Sequence, residues 1–472
     1  MPRYFVTLIV AVALFMETMD STVIATSLPA IARDMGEDPI ALKLALTSYL
    51  LSLAVFIPLS GWVADRFGAR TVFRAAIVVF TLGSAACGFA QSLPDFILFR
   101  IVQGIGGAMM VPVGRLVILR TVPKAELISA LAWLTIPALL GPVIGPPLGG
   151  FITTFASWRW IFWINIPTGL LGVILATRFI ANIREGEMPP LDVKGFILSG
   201  IGLAGLAFGL TTIGQGLFPP AVVISLLAVG SIGCWLYVRH ARTTPDPLID
   251  LSLLKVETFY ASVVGGFLFR VGIGSTPFLL PLLLQLGFGL SPFKSGMLTF
   301  STAVGAMAMK TTAARILRRF GFKSVLMVNG VVSCLFIAAP ALFLPMTPHA
   351  IILAVLLVGG FFKSLQFTSI NTLAYADIEP RAMSRATSFA SVVQQLSMTA
   401  GVAVGALVLE VERHGRPETA VHAADFATAF IVVAAISTAS VLIFARLPKL
   451  AGASLSAPAR PVGTVQEPVP PA

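Results

Sequence analysis

The sequence predicts an all-α polytopic membrane protein, and three observations carry that prediction. Of its 472 residues 57% are hydrophobic and only 11% are charged, with a mean hydropathy of +0.92; soluble domains average about 45–50% apolar and about 25% charged. The apolar residues fall in uncharged runs such as 221–238 and 351–362, not in the alternation of a lipid-facing barrel strand. Turn residues and basic clusters divide these runs into lengths close to the ~20 residues with which a helix crosses a bilayer. Such a composition excludes a soluble enzyme, a secreted disulfide scaffold and a nucleic-acid binder.

In lipid every backbone polar group needs a partner within the chain, so each run is read as a helix. The first covers 5–32 and stops at the charged segment 33–38; the second, 42–64, stops at a Gly/Asp/Arg turn. The third and fourth, 72–90 and 94–119, are parted by residues 91–94, and the fourth ends at Arg120 and Lys124. The fifth, 130–155, runs to residues 157–159, and the sixth, 160–181, to a charged stretch with two prolines. The seventh and eighth, 193–214 and 218–239, are joined by a Gly/Pro turn. The ninth, 258–287, closes at 289–292, and the tenth, 293–314, at the basic residues 315–319. The eleventh to fourteenth cover 323–345, 349–373, 384–409 and 425–446, and end at prolines or at charged segments.

Lys and Arg gather in cytoplasmic loops of membrane proteins. With the N-terminus inside, twenty-one basic residues fall on the cytoplasmic side, against six opposite: Arg33, Lys43, Arg159, Lys294, Arg413 and Arg416. An even number of spans then places both termini in the cytoplasm. The net charge of +11 follows from this bias, and no nucleic-acid partner is expected. Cys87, Cys234 and Cys334 lie in apolar stretches and read as small packing residues. From about Pro448 the chain is rich in Pro, Ala and Val and is expected to be disordered.

One turn recurs. GWVADRFGARTVF (61–73) follows the second span and ILRRFGFKSVL (316–326) follows the tenth; Gly68 aligns with Gly321 and Arg70 with Lys323, while Asp65 meets Arg318. The same basic turn after corresponding spans implies a duplicated six-helix unit, 1–185 and 243–447, with 186–242 inserted between and 448–472 as a tail. Repeated halves around a midplane site are the architecture of alternating-access transporters.

Four further stretches carry a resemblance: METMDSTVIATSLPAIA (16–32), GWVADRFGAR (61–70), LFRIVQGIGGAMMVPVGRL (98–116), and GPVIGPPLGG (141–150) followed by WRWIFWINIP (158–167). In them the chain resembles the major facilitator superfamily, and within it the fourteen-helix drug:proton antiporter branch; QGIGGAMMVPVGRL is most like the bacterial multidrug resistance MdtD group. The resemblance implies two pseudo-symmetric six-helix bundles plus two inserted helices in the bacterial inner membrane. It implies a monomer that moves a small-molecule substrate, driven by protons and needing no cofactor. It also makes the loop of Gly61, Asp65, Arg66, Gly68 and Arg70 a latch that closes in one conformation. Gly141, Gly145, Pro146, Gly149 and Gly150 become a seal between the halves. The residues alone fit equally well a charged turn that sets topology and a small-residue face for tight helix packing. Ala69 stands at a usually basic position of the loop, and the second copy of the turn lacks the acid.

Ionisable groups at bilayer depth are costly and mark ion or substrate pathways. Two acids lie deep in a span, Glu17 and Asp20, three residues apart and therefore on one helix face. Two carboxylates in a poorly solvated cavity cannot both ionise cheaply, so this couple is the candidate proton carrier, Asp20 at the motif position and Glu17 sharing or modulating. The competing reading is a structural ion pair between Asp20 and Arg100. The other deep charges, Arg100, Arg270 and Lys363, fall in the fourth, ninth and twelfth spans, which correspond to cavity-lining helices in the superfamily. Gln103, Gln366 and Asn371 are assigned to the same cavity. Arg115 and Lys310 lie near span ends and are read as snorkelling.

Glu17 and Asp20 suit cationic lipophiles, whereas Arg270 and Lys363, with Gln366 and Asn371, suit an anion. Phe269, Phe361, Phe362 and Phe367 either stack on a drug or pack against helices. The expected function is proton-coupled antiport of drugs, with export of anionic metabolites as the alternative. A channel-like pore is the competitor from another class, and counterflow discriminates it. No G-x-x-x-x-G-K-[ST] loop or H-E-x-x-H occurs, and His240, His349, His414 and His422 lie in loops or at span ends. An ATP-driven pump, an enzyme and a metal site are therefore not expected.

Overall fold

Apolar runs that cannot leave backbone groups unpaired become helices in the computed structural model of the chain, which describes residues 4–121, 127–182, 190–212, 219–245, 247–379, 382–413 and 422–452. The first half contributes α1 (Tyr4–Met35), α2 (Lys43–Phe67), α3 (Ala69–Phe89), α4 (Leu93–Thr121), α5 (Leu127–Phe155) and α6 (Trp160–Phe179). Then come α7 (Val193–Thr212) and α8 (Pro220–Ala241). The second half holds α9 (Glu257–Gly287), α10 (Pro292–Phe320), α11 (Phe322–Leu342), α12 (His349–Leu373), α13 (Met383–Arg413) and α14 (Ala423–Ala445). Among the described residues, twelve helices are long and apolar enough to cross a membrane. The remaining two, α5 and α10, are 29-residue helices that pack against each other at the centre.

Most ends fall within a few residues of those expected. The largest departure is α10, which continues to Phe320 because Arg315, Arg318 and Arg319 are good helix formers that lie exposed. Only Gly321, at φ 74°, stops it. The duplicated turn is visible in the backbone: Gly68 (φ 93°) and Gly321 each donate an N–H to the carbonyl four residues back, at 2.9 Å. Gly36 (φ 68°) and Gly289 (φ 67°) follow the ends of α1 and α9 with the same left-handed backbone. Gly289 against Gly36 and Gly321 against Gly68 both differ by 253 positions. Glycine has no Cβ to clash in this left-handed region, so the chain reverses there in both halves.

Helices α1–α6 pack among themselves and α9–α14 do likewise; the halves meet where α5 lies on α10 and α2 on α13. Helix α7 rests on both α2 and α13, with α8 outside it. Gly205 and Gly230 face each other across the α7–α8 contact, where a Cβ on either would meet the opposite backbone. Small residues of this kind let membrane helices approach closely.

The expected tail lies mostly outside the described residues; its first residues, 448–452, form a turn in which Gly452 packs on Phe322 and Leu373. Arg3, Lys124, Arg184, Arg381, Arg416 and Arg460, which enter the expected orientation, also lie outside the described residues.

A Cβ at Gly68 would collide with the Asn182 carboxamide, whereas one at Gly321 would meet open space. Gly68→Val is expected to destabilise the detergent-solubilised protein by about 2 kcal/mol and Gly321→Val by about 1 kcal/mol. Thermal unfolding of the two variants side by side checks this; equal losses would contradict the packing.

Candidate functional site

Helix α1 carries Glu17 and Asp20 one turn apart near its middle, and the helices around it supply a partner to each. Asp20 Oδ2 accepts from Arg100 Nη1 at 2.7 Å and Oδ1 from Asn165 Nδ2 at 3.0 Å. Both members of the ion pair are buried, with side chains 1% exposed. Arg100 Nη1 also donates to Gln103 Oε1 at 2.6 Å, and its Nε donates to the Ala45 carbonyl at 3.3 Å. Its guanidinium lies over the Tyr49 ring, 4.2 Å from the centroid. The Tyr49 hydroxyl in turn donates to Glu17 Oε1 at 2.9 Å. Ser84 completes the network, accepting from Asn165 and donating to the Phe162 carbonyl, each at 3.0 Å. Helices α1, α2, α3, α4 and α6 thus converge on one polar cluster. Within it Glu17 is half-buried and Asp20 fully buried. A buried ion pair holds only while its hydrogen bonds are satisfied, and removing one partner strands the other charge.

The second-half charges are arranged differently. A cavity of about 390 Å³ lies between α1, α5, α9, α10, α12 and α13, and Lys363 is the charged side chain on its wall. Gly360 and Gly305 place it there, since a Cβ on either would meet the backbone of the facing helix of the α10–α12 pair. Phe367, one turn on, lines the same wall. Arg270 stands behind Phe367, 5.6 Å from its centroid, and donates to Asn371 Oδ1 at 2.6 Å. Gln366 turns away from the cavity: its Nε2 donates to the Leu326 carbonyl at 2.9 Å, and its Oε1 accepts from Asn329 at 3.0 Å. Gln103 belongs to the Arg100 cluster. Of the five residues assigned to the cavity, only Lys363 lines it, Arg270 reaches it through Phe367, and Gln103, Gln366 and Asn371 do not. Phe269 is fully buried, and Phe361 and Phe362 pack on each other and on Phe336.

The glycine-rich stretch of α5 uses two faces, not one. Gly141, Gly145 and Gly149 press on α1 at Thr18, Thr22 and Val23, whereas Gly150 meets Pro292 of α10. A Cβ at Gly150 would stand 2.5 Å from the Pro292 carbonyl oxygen, and Gly296 takes the Pro146 carbonyl in the same contact. Polar bridges join the halves at this α1–α2 end. Lys43 Nζ pairs with Glu410 Oε1 at 2.9 Å, with side chains 0% and 10% exposed, and Asp38 pairs with Arg413. Gln285 Nε2 donates to the Thr26 carbonyl at 2.9 Å, and the Phe293 N–H to Thr154 Oγ1 at 3.1 Å. Lys43, counted in the sequence among the charges of the non-cytoplasmic side, is a buried first residue of α2.

At the opposite end the 61–70 loop is bound within its own half. Arg70 donates to the Ile180 carbonyl at 3.4 Å, and the Thr71 N–H to Asn182 Oδ1 at 3.3 Å. Arg66 is exposed, Asp65 half-buried. A Cβ at Gly61 would meet nothing within 4 Å.

The family model described as the Major Facilitator Superfamily matches residues 10–402 and again 262–467. The chain belongs to the major facilitator superfamily. A relative from Yersinia enterocolitica that bears the name multidrug resistance protein MdtD is 38% identical over 458 residues, 95% of this chain and 96% of its own. One of the same name from Escherichia coli is 37% identical over 447 residues, 93% and 94% of the two chains. Among solved structures, a D-xylose–proton symporter superposes with a TM-score of 0.67 at 15% identity, over 95% of this chain and 99% of its own. The nucleoside transporter NupG gives 0.66 at 13%, over 93% and 98%. At such identities these show the fold alone.

This major facilitator superfamily transporter is a multi-pass membrane protein of a family that moves solutes and does not transform them. Its polar cluster contains residues that the charge reading of the sequence passed over: Tyr49, Ser84 and Asn165. Asn165 carried a signal, being an amide inside an apolar span. The Lys43–Glu410 pair carried none, because both residues look like ordinary span ends, 367 positions apart.

Gly150→Leu is expected to pry α5 from α10 and loosen the α1–α2 end. A cysteine placed at Ile273, on the cavity wall, should then react at least about ten-fold faster with a membrane-impermeant thiol reagent added from that end. Unchanged labelling would show that this contact does not close the cavity.

Proposed function

We propose that this transporter is a proton-coupled antiporter that exports small molecules across the bacterial inner membrane, of the efflux type that the relatives' names suggest. All fourteen helices cross the bilayer, both termini lie in the cytoplasm, and α7–α8 are an insertion between two six-helix halves, 1–185 and 243–447. It acts as a monomer in lipid and needs no cofactor beyond the proton gradient. The observation that carries this reading is the Glu17–Tyr49–Arg100–Asp20 cluster: one carboxylate pairs with the buried guanidinium and the second is linked to it through the Tyr49 ring and hydroxyl.

Protonation is what such a cluster can register. While both carboxylates are charged, Arg100 is held by Asp20 directly and by Glu17 through the Tyr49 ring and hydroxyl. A proton on either acid leaves Arg100 to the other, and a buried cation must follow its remaining counter-charge because desolvation makes an unpaired position costly. The guanidinium bridges α4 to α1 and, through Ala45 and Tyr49, to α2. Its shift therefore moves three helices of one half together. A two-state element biased by both proton and cargo is what exchange requires. The bridges at the α1–α2 end favour a cavity that faces the cytoplasm, and a closed end argues against an open pore.

In proteoliposomes with an imposed pH gradient, Asp20→Asn is expected to keep substrate counterflow but to reduce gradient-driven transport at least about ten-fold, because the proton can no longer leave. Glu17→Gln is expected to weaken coupling by a smaller factor. Gradient-driven transport at the wild-type rate in Asp20→Asn would refute the assignment. Absence of counterflow in the wild type would favour a pore.

A further inference from the structure

The charges of the two halves are not balanced alike. In the first half Arg100 has Asp20 at 2.7 Å and Glu17 one hydroxyl away. In the second half Arg270 and Lys363 are 3% and 6% exposed, and among the described residues neither has a carboxylate within ion-pair distance. Arg270 is partly satisfied by Asn371, though its Nε is buried without a partner. Lys363 has no hydrogen-bond partner among the described residues, and it lines the central cavity. The buried Thr302 hydroxyl, also on the cavity wall, lacks a partner among the described residues. The other hydroxyls there, including Thr276 and Ser364, already donate to helix carbonyls. The remaining wall is apolar, with Ile273, Leu280, Phe367 and Met398.

A buried ammonium without a counter-charge is unfavourable unless something supplies that charge. We propose that the cargo supplies it: the cavity takes amphiphilic organic anions, carboxylates or sulfonates, whose charged oxygens meet Lys363 Nζ and the Thr302 hydroxyl and whose apolar body lies on Phe367, Ile273 and Leu280. This deepens the antiport reading and rests on it for the site's role as a transport cavity. The cavity volume of about 390 Å³ lies within the range of small-ligand sites, about 300–1,000 Å³. Charge selection follows from the same geometry. A lipophilic cation placed here meets Lys363 directly and Arg270 behind Phe367, and the low local dielectric strengthens that repulsion. The acids that would attract a cation are occupied by Arg100 and Tyr49, on another side of α1.

The test uses two permanently charged probes with one apolar body, biphenyl-4-sulfonate and (4-biphenyl)trimethylammonium. Neither crosses the bilayer by protonation. Calorimetric titration of the full-length protein, at one pH and without a gradient, is expected to show the sulfonate binding at least about ten-fold tighter than the cation. Lys363→Met should lower sulfonate affinity about ten-fold or more, Lys363→Arg should largely keep it, and Thr302→Val should weaken it by a smaller factor. Equal binding of the two probes, preference for the cation, no binding of either, or an unaffected Lys363→Met protein would each overturn the proposal. Transport separates it from proton coupling. Sulfonate that binds through Lys363 but is not driven by a pH gradient defeats the antiport reading and leaves the site standing. Gradient-driven transport of the sulfonate that ignores Lys363 does the reverse.

Discussion

The rest of the structure depends on one constraint: a charge held in a low-dielectric interior must be matched. Where the chain supplies the match, as with Arg100 against Asp20, helices are tied together. Where no match is found among the described residues, as at Lys363, the charge faces an open cavity. The same protein uses both situations, one in each half, although the halves share a backbone plan. Position 17 of the first half corresponds to Arg270 of the second under the 253-residue offset that relates the glycine turns. An acid and a base thus stand at equivalent places on α1 and α9.

Closure at the α1–α2 end comes from a different kind of interaction. Backbones touch there because glycine carries no side chain: Gly150 against Pro292, Gly296 against Pro146, and Gly141, Gly145 and Gly149 against α1. Without a hydrophobic drive between helices in lipid, such contacts and the polar bridges across them hold the halves together. The Lys43–Glu410 pair ties α2 to α13 by a charge-assisted hydrogen bond of 2.9 Å, which opening must break. The glycine stretch read from the sequence as one face is two faces because positions 149 and 150 project about 100° apart on a helix. One face packs α5 within its own half, and the other meets the opposite half.

The helical fold was legible almost throughout, since lipid forces each long apolar run into a helix and leaves little choice of length. The repeat was legible for the same reason: Gly68 and Gly321 must turn the chain at matching places. The buried charges were also legible as a set, because an ionisable residue in an apolar run is rare and stands out. Their pairing was not. Gln366 and Asn371 look in sequence like neighbours of Lys363 in one cavity, but one helical turn rotates Gln366 onto Asn329 and carries Asn371 to Arg270.

Taken alone, the sequence determined that this protein is a helical membrane protein with a duplicated plan, motifs of the major facilitator superfamily and few, deep charges. These follow from hydropathy and from local backbone geometry, which depend on residues near one another in the chain. Only the tertiary structure decided which charge faces which: that Asp20 takes the Arg100 guanidinium while Glu17 takes the Tyr49 hydroxyl, that Lys43 closes on Glu410, and that Lys363 faces the cavity without a partner among the described residues. Such contacts join residues up to hundreds of positions apart, and their geometry is set by the packing of whole helices, which no local pattern records.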